Sequence, residues 1–165
     1  MTFDTAVTLI ANLALTLSFI VALIFGIAQV KAAARDRRER LTLETLRVFD
    51  TREFAEIIYY TTEQNFPKSE AEFNTMPEQQ RIILIQTSQQ MESLGMLVYE
   101  KYIDLDLVDK TLGNFVSNTW KKFEPFFIDM RKRVPDPYLA EYFQWLAERI
   151  DEKMKTESRV PYYMQ

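Results

Sequence analysis

Hydrophobic positions follow one rule in the first thirty residues and another in the rest of the chain. From Thr5 to Val30 no residue is ionisable and no Pro intervenes. As a helix that run is roughly 39 Å long, against a hydrocarbon core of about 30 Å, so it predicts a membrane span. Beyond it the apolar residues recur at helical spacing. "AARDRRERLTLETLRVF" continues the span helix without Gly or Pro. Asp50 with Glu53 reads as the N-cap of a helix carrying Phe54, Ile57 and Ile58. Ser69 and Glu72 form a capping box for a turn or two, and Thr75, Pro77 and Glu78 open the next helix.

That helix, about 77 to 101, carries Leu84, Ser88, Met91, Gly95, Val98 and Tyr102 as one core stripe. Asp104 caps a short helix, "LDLVDKTLG". A further helix presents Val116, Trp120, Phe123, Phe127 and Met130, with Pro125 as a kink. Asp136–Pro137 reads as the opening of the last helix, whose core face is Leu139, Phe143, Leu146 and Ile150. Strand signals are nearly absent, since "IILI" at 82–85 sits inside a helical period. The predicted fold is all-α: one N-terminal transmembrane helix followed by a small cytoplasmic helical bundle. The predicted divisions are 1–30 (tail and span), 31–50 (basic juxtamembrane helix), 51–155 (bundle) and 156–165 (tail).

Charge sets the orientation. Lys31, Arg35, Arg37, Arg38 and Arg40 follow the span and no basic residue precedes it. The positive-inside rule then leaves the N-terminus outside and residues 31–165 in the cytoplasm. A cleaved signal peptide would carry a positive leading segment and a shorter apolar core, whereas "MTFD" brings only Asp4. The same five basic residues are candidates for anionic lipid headgroups. Within the span, Ala14, Ser18, Ala22 and Gly26 recur every four positions as a small-residue ladder for a neighbouring helix, and Thr8, Asn12 and Thr16 form a parallel polar stripe. Asn12 is the member that lipid tolerates least.

Composition then removes chemistry. The 165 residues include no His, no Cys and three Gly. There is no imidazole base, thiolate or soft zinc ligand, and no glycine-rich phosphate loop. No catalytic, cofactor-binding or metal-binding residues are expected. The net charge of −4 leaves residues 41–165 acidic, which argues against a nucleic-acid partner. Asp104, Asp106 and Asp109 alternate with Leu and enclose no Gly, so they read as caps and solvated groups rather than a calcium loop. Glu92 and Arg131 each sit one step from an apolar stripe and form a candidate structural ion pair. Tyr59–Tyr60 and Tyr162–Tyr163 are candidate contact residues, and "VPYYMQ" is expected to dock on its own bundle or on a partner.

"MESLGMLVYEKYIDLDLVDKTLG" (91–113), with Trp120, Arg131 and "YFQWLAE" (142–148), resembles an uncharacterised bacterial family, a domain of unknown function with an N-terminal membrane helix and a helical cytoplasmic domain. The resemblance covers roughly residues 35–150 and implies a bacterial inner membrane, with no activity to carry over. Chemistry is missing while helix-contact surface is plentiful. The expected function is an accessory or assembly subunit of a larger membrane complex, working through contacts with other membrane proteins. The alternative is a membrane-anchored regulatory module or a self-associating scaffold.

Overall fold

The computed structural model describes every residue except Met1, Thr2, Pro135, 158–161 and Gln165, and only the backbone at Thr5, Ala6 and Tyr162. The fold is all-α, with six α-helices and no strand among the described residues. They are α1 (Phe3–Arg47), α2 (Arg52–Glu63), α3 (Glu70–Thr75), α4 (Glu78–Tyr99), α5 (Leu105–Arg133) and α6 (Glu141–Thr156), with a 3₁₀ turn at Val48–Asp50. Contacts divide the chain into two compact units, Met1–Arg40 and Leu41–Gln165.

In the first unit every described side chain is exposed. The helix there is long and apolar enough to cross a membrane. The second unit is built around α6, which packs against both α4 and α5. Leu84, Met91, Val108, Val116, Phe143, Leu146 and Ile150 are buried. Trp120 and Phe123 meet Phe143 edge-on at 5.1 and 5.9 Å between ring centres. Aromatic pairs of this geometry add about 0.5–1.5 kcal/mol each beyond the area they bury.

Gly95 decides how closely α4 and α6 approach. A Cβ there would lie 2.2 Å from the Tyr142 carbonyl oxygen, so only glycine admits the α6 backbone. Gly113 serves α5 and α6 in a milder way. A Cβ would fall 2.7 Å from the Asp109 side chain and 3.4 Å from Ile150. This glycine therefore lies within a helix, and the expected short helix "LDLVDKTLG" is in fact the first part of the 29-residue α5. α5 also continues through Pro125. The residue itself and Lys121, whose carbonyl loses its amide partner, are both exposed, so water can replace the missing bond.

Several helix ends follow the expected chemistry. Ser69 accepts from Glu72 N at 3.3 Å, and Asp104 accepts from Asp106 N at 2.8 Å. The cap of α2 is Thr51, whose hydroxyl accepts from Phe54 N at 3.2 Å, and not Asp50, which belongs to the preceding 3₁₀ turn.

Two ends differ more. α4 stops at Tyr99 in a Schellman motif: Tyr102 N donates to Leu97 O and Lys101 N to Val98 O, both at 3.0 Å. Lys101 occupies the left-handed position (φ 62°), the chain turns away, and Tyr102 is exposed rather than on the core stripe. At the last helix, Asp136 accepts from Tyr138 N at 3.0 Å and makes a turn, not a helix start. α6 begins at Glu141, after a buried Ala140 that is itself left-handed (φ 57°), so Leu139 belongs to the turn.

Candidate functional site

In the first unit the hydroxyls of the polar stripe and of the ladder bond within their own helix. Thr8 donates to Asp4 O at 2.9 Å, Thr16 to Asn12 O at 2.8 Å, and Ser18 to Ala14 O at 2.8 Å. Back-bonding of this kind removes the polar cost of Ser and Thr in an apolar medium. The Asn12 carboxamide makes no such bond, and no hydrogen bond to it occurs among the described residues. The ladder of Ala14, Ser18, Ala22 and Gly26 is exposed along its length, and a Cβ at Gly26 would meet nothing within 4 Å.

All five basic flank residues lie on α1, and all are exposed. Arg35 Nε pairs with Glu39 at 2.9 Å, and that bond raises the guanidinium pKa above its usual value. Lys31 and Arg37 make no ion pair among the described residues.

In the second unit Glu92 and Arg131 do not form the expected ion pair. Both reach the start of α6, where each binds backbone. The Glu92 carboxylate accepts from Phe143 N at 2.8 Å and from Tyr142 N at 3.3 Å. It caps α6 from α4, placing negative charge on the positive end of the helix dipole. Arg131 donates through Nε and Nη2 to Leu139 O at 2.9 and 2.7 Å, and through Nη1 to Gln144 Oε1 at 2.7 Å. Glu92 thus replaces the side-chain cap that Ala140, standing at the N-cap, lacks.

One group joins a hydroxyl, a lysine and a carboxylate. Ser117 donates to Asp151 at 2.5 Å, Lys121 Nζ donates to Ser117 Oγ at 2.9 Å, and Lys121 pairs with Asp151 at 3.4 Å. Ser117 is only 3% exposed. The group ties α5 to α6. Asp106 and Lys153 tie the same two helices further along; their bond lowers the Asp106 pKa and raises that of Lys153. Among the described residues no group of three or more His, Cys, Asp or Glu could hold a metal ion.

The outward face of α4 differs from these. Ile82, Ile85, Gln86, Gln89, Ser93 and Met96 are exposed on one side of the helix. A cleft of about 340 Å³ lies on one flank, between α4 and the Thr45–Phe49 stretch. A second, about 210 Å³, lies on the other flank, walled by Phe73, Phe123, Phe126 and Phe127. Gln89 lines both. Sequence reasoning took this helix for its inward stripe and missed the outward one, although the absence of charge from Ile82 to Met91 was there to read.

Of the remaining sequence candidates, Tyr59 is exposed and Tyr60 packs against the core with its hydroxyl unpartnered, and burial raises its pKa. Residues 158–161, Gln165 and the Tyr162 side chain lie outside the described residues, while Tyr163 and Met164 are exposed.

The structure defines a class: an all-α protein with an apolar N-terminal helix of membrane-spanning length and a compact helical bundle. In the bundle, Glu92 and Arg131 serve the start of α6, and Ser117 serves the α5–α6 pair. The chain belongs to the family described as Domain of unknown function (DUF4760), whose sequence model matches residues 16–150. No curated protein and no solved structure matches it.

Proposed function

We propose that this chain is a single-pass protein of the bacterial inner membrane, with its N-terminus outside and its bundle in the cytoplasm. It acts by binding other membrane proteins rather than by catalysis, as an accessory or assembly subunit of a larger complex. Asn12 carries this reading. Among the described residues its carboxamide has no hydrogen-bond partner, and it sits inside a run without ionisable residues, beside a ladder of small side chains. An amide in hydrocarbon needs a partner, and one on a neighbouring helix contributes roughly 0.6–2 kcal/mol. The small residues let that helix come close. Lys31, Arg35, Arg37, Arg38 and Arg40 supply the cytoplasmic flank and meet anionic headgroups there.

A second reading, a regulatory module relaying events in the span, draws on the uninterrupted α1 from Phe3 to Arg47. The test is a mild-detergent pull-down of wild type, Asn12→Leu and the double variant Ser18→Leu/Ala22→Leu, with Leu15→Ile/Leu23→Ile as control. All remain apolar enough to insert, and a reporter fused after Gln165 that works only in the periplasm should be silent in each. Loss of co-purifying proteins in the first two variants alone supports the subunit. An unchanged set of partners overturns it.

A further inference from the structure

Between Arg81 and Glu100, α4 has one charged side chain, Glu92, and that carboxylate faces inward to cap α6. The outward stripe of Ile82, Ile85, Gln86, Gln89, Ser93 and Met96 spans about 100° of arc. It is therefore a charge-free strip on a unit whose residues 41–165 hold fifteen Lys/Arg against twenty-one Asp/Glu. Depletion of charge at the centre with charge at the edge is how interface cores differ from ordinary surface. Here Glu78 and Glu100 bound the strip.

We propose that this face docks the same face of a second copy of the chain, across a two-fold axis passing close to Gln89. A two-fold axis sets each patch against itself, so a patch carrying net charge repels its copy. The acidic unit has this neutral strip to offer. Its polar groups are also self-complementary. A carboxamide both donates and accepts, so Gln89 satisfies Gln89 of the copy reciprocally, and the Ser93 hydroxyl has the same dual capacity. A charged partner would find no counter-charge on the strip and would be desolvated without compensation.

Shape agrees with charge. The strip is a ridge with a cleft on either side, the arrangement in which the i±4 rows of two helices interdigitate at about −50°. In the wall of the larger cleft, Gln90 Oε1 has no hydrogen-bond partner. Gln89 is also midway between Glu78 and Glu100. A crossing there leaves each acidic end roughly 16 Å along the helix from the axis, where the two helices have diverged by more than a Debye length of about 8–10 Å.

The chain has no cysteine, so Gln89→Cys gives the full-length protein a single thiol at the proposed axis. The protein is treated with a short bis-maleimide in native membranes and in detergent. Glu152→Cys, exposed on α6, is the control. The proposal expects at least tenfold more covalent dimer from Gln89→Cys than from the control. It also expects Gln89→Glu, which sets two like charges at the axis, to raise the half-dissociation concentration at least tenfold by light scattering, while leaving unchanged the melt measured at concentrations where the protein is monomeric. Equal cross-linking in the two cysteine variants overturns the proposal, as does capture of a different protein by Gln89→Cys. Adding Asn12→Leu to Gln89→Cys separates this contact from the span. Cross-linking that persists supports docking through α4, and cross-linking that disappears assigns the pairing to the span and overturns it.

Discussion

The two units each contain a glycine on a helix, and the two glycines do opposite things. At Gly95 a methyl group would run into the Tyr142 backbone; at Gly26 it would meet nothing. The bundle has used its small residue to bring two of its own helices together. The apolar helix has a small residue with no neighbour from its own unit within 4 Å among the described residues, in a unit whose described side chains are all exposed. In water such a surface would be costly, at about 25 cal/mol per Å² of apolar area. In lipid it costs nothing, and a gap along it is a place for another helix. The same residue type is thus a finished contact in one unit and, on the proposed function, an open one in the other.

The sharpest way to break this contrast is to fill both gaps. Gly95→Ala should destabilise the bundle by about 3 kcal/mol, at the upper end for overpacking, because the clash is with backbone. Thermal unfolding followed by circular dichroism in detergent measures it. Gly26→Ala should leave the same melt within about 0.5 kcal/mol. A comparable loss at Gly26 would mean that the apolar helix is packed within the monomer after all.

Glu92 comes next. Replacing it with Ala removes the carboxylate that caps α6 and should cost about 1–2 kcal/mol. The expected ion pair and the observed cap make different forecasts for Arg131→Met. If Glu92 neutralised Arg131, losing either partner would leave a half-buried charge and the two single losses would be similar in kind. With separate backbone partners, Glu92→Ala selectively lowers amide-exchange protection at Tyr142 and Phe143, and Arg131→Met does not. Equal exposure of those two amides in both variants would contradict the assignment.

What the sequence made legible, and what it hid, follows from the range of the interactions. Ser69 and Asp104 cap helices two or three residues away, so pattern alone located them. The long apolar run and the buried stripes of Leu84, Met91 and Val98 were equally local, being periodic. Gly113 was misread because a glycine that ends a helix and one that admits a neighbouring helix look alike in one dimension. The start of α6 was misplaced because Asp136–Pro137 is a good cap pair, and the structure spends it on a turn. The real cap, Glu92, arrives from about fifty residues away. A lone charge in the long neutral stretch of α4 was the one available clue.

Lys101 gives a smaller, opposite effect. A lysine in the left-handed position at the end of α4 is where glycine is usually found, and this is why Tyr102 looked like the next core position. Lys101→Gly relieves the strain of the side chain at φ 62° and should stabilise the bundle by about 0.5–1 kcal/mol, net of the extra freedom glycine gives the unfolded chain. A destabilised variant would mean that the lysine makes a contact outweighing its strain.

The smallest expected effect concerns pH. Asp106 and Lys153 join the start of α5 to the last turns of α6, and the Asp106 side chain is 59% exposed. Their mutual bond lowers the Asp106 pKa and raises that of Lys153. A carboxylate whose pKa falls on folding stabilises the fold above its unfolded value, about 3.9, and that contribution disappears as pH drops through the folded value. A lysine whose pKa rises contributes fully below about 10.4 and loses its share as pH climbs through the folded value. The pair therefore contributes across neutral pH, and that contribution does not change with pH between about 5 and 8. Because Asp106 is solvated, its contribution is discounted to a few tenths of a kcal/mol. Asp106→Asn should lower the melt slightly at pH 7, and by less at pH 3, which lies below the unfolded carboxylate value of about 3.9. Salt near 1 M should shrink the pH 7 difference by screening. A difference that grew on acidification would mean that Asp106 stabilises the fold as the neutral acid, and the assignment of this ion pair would fail.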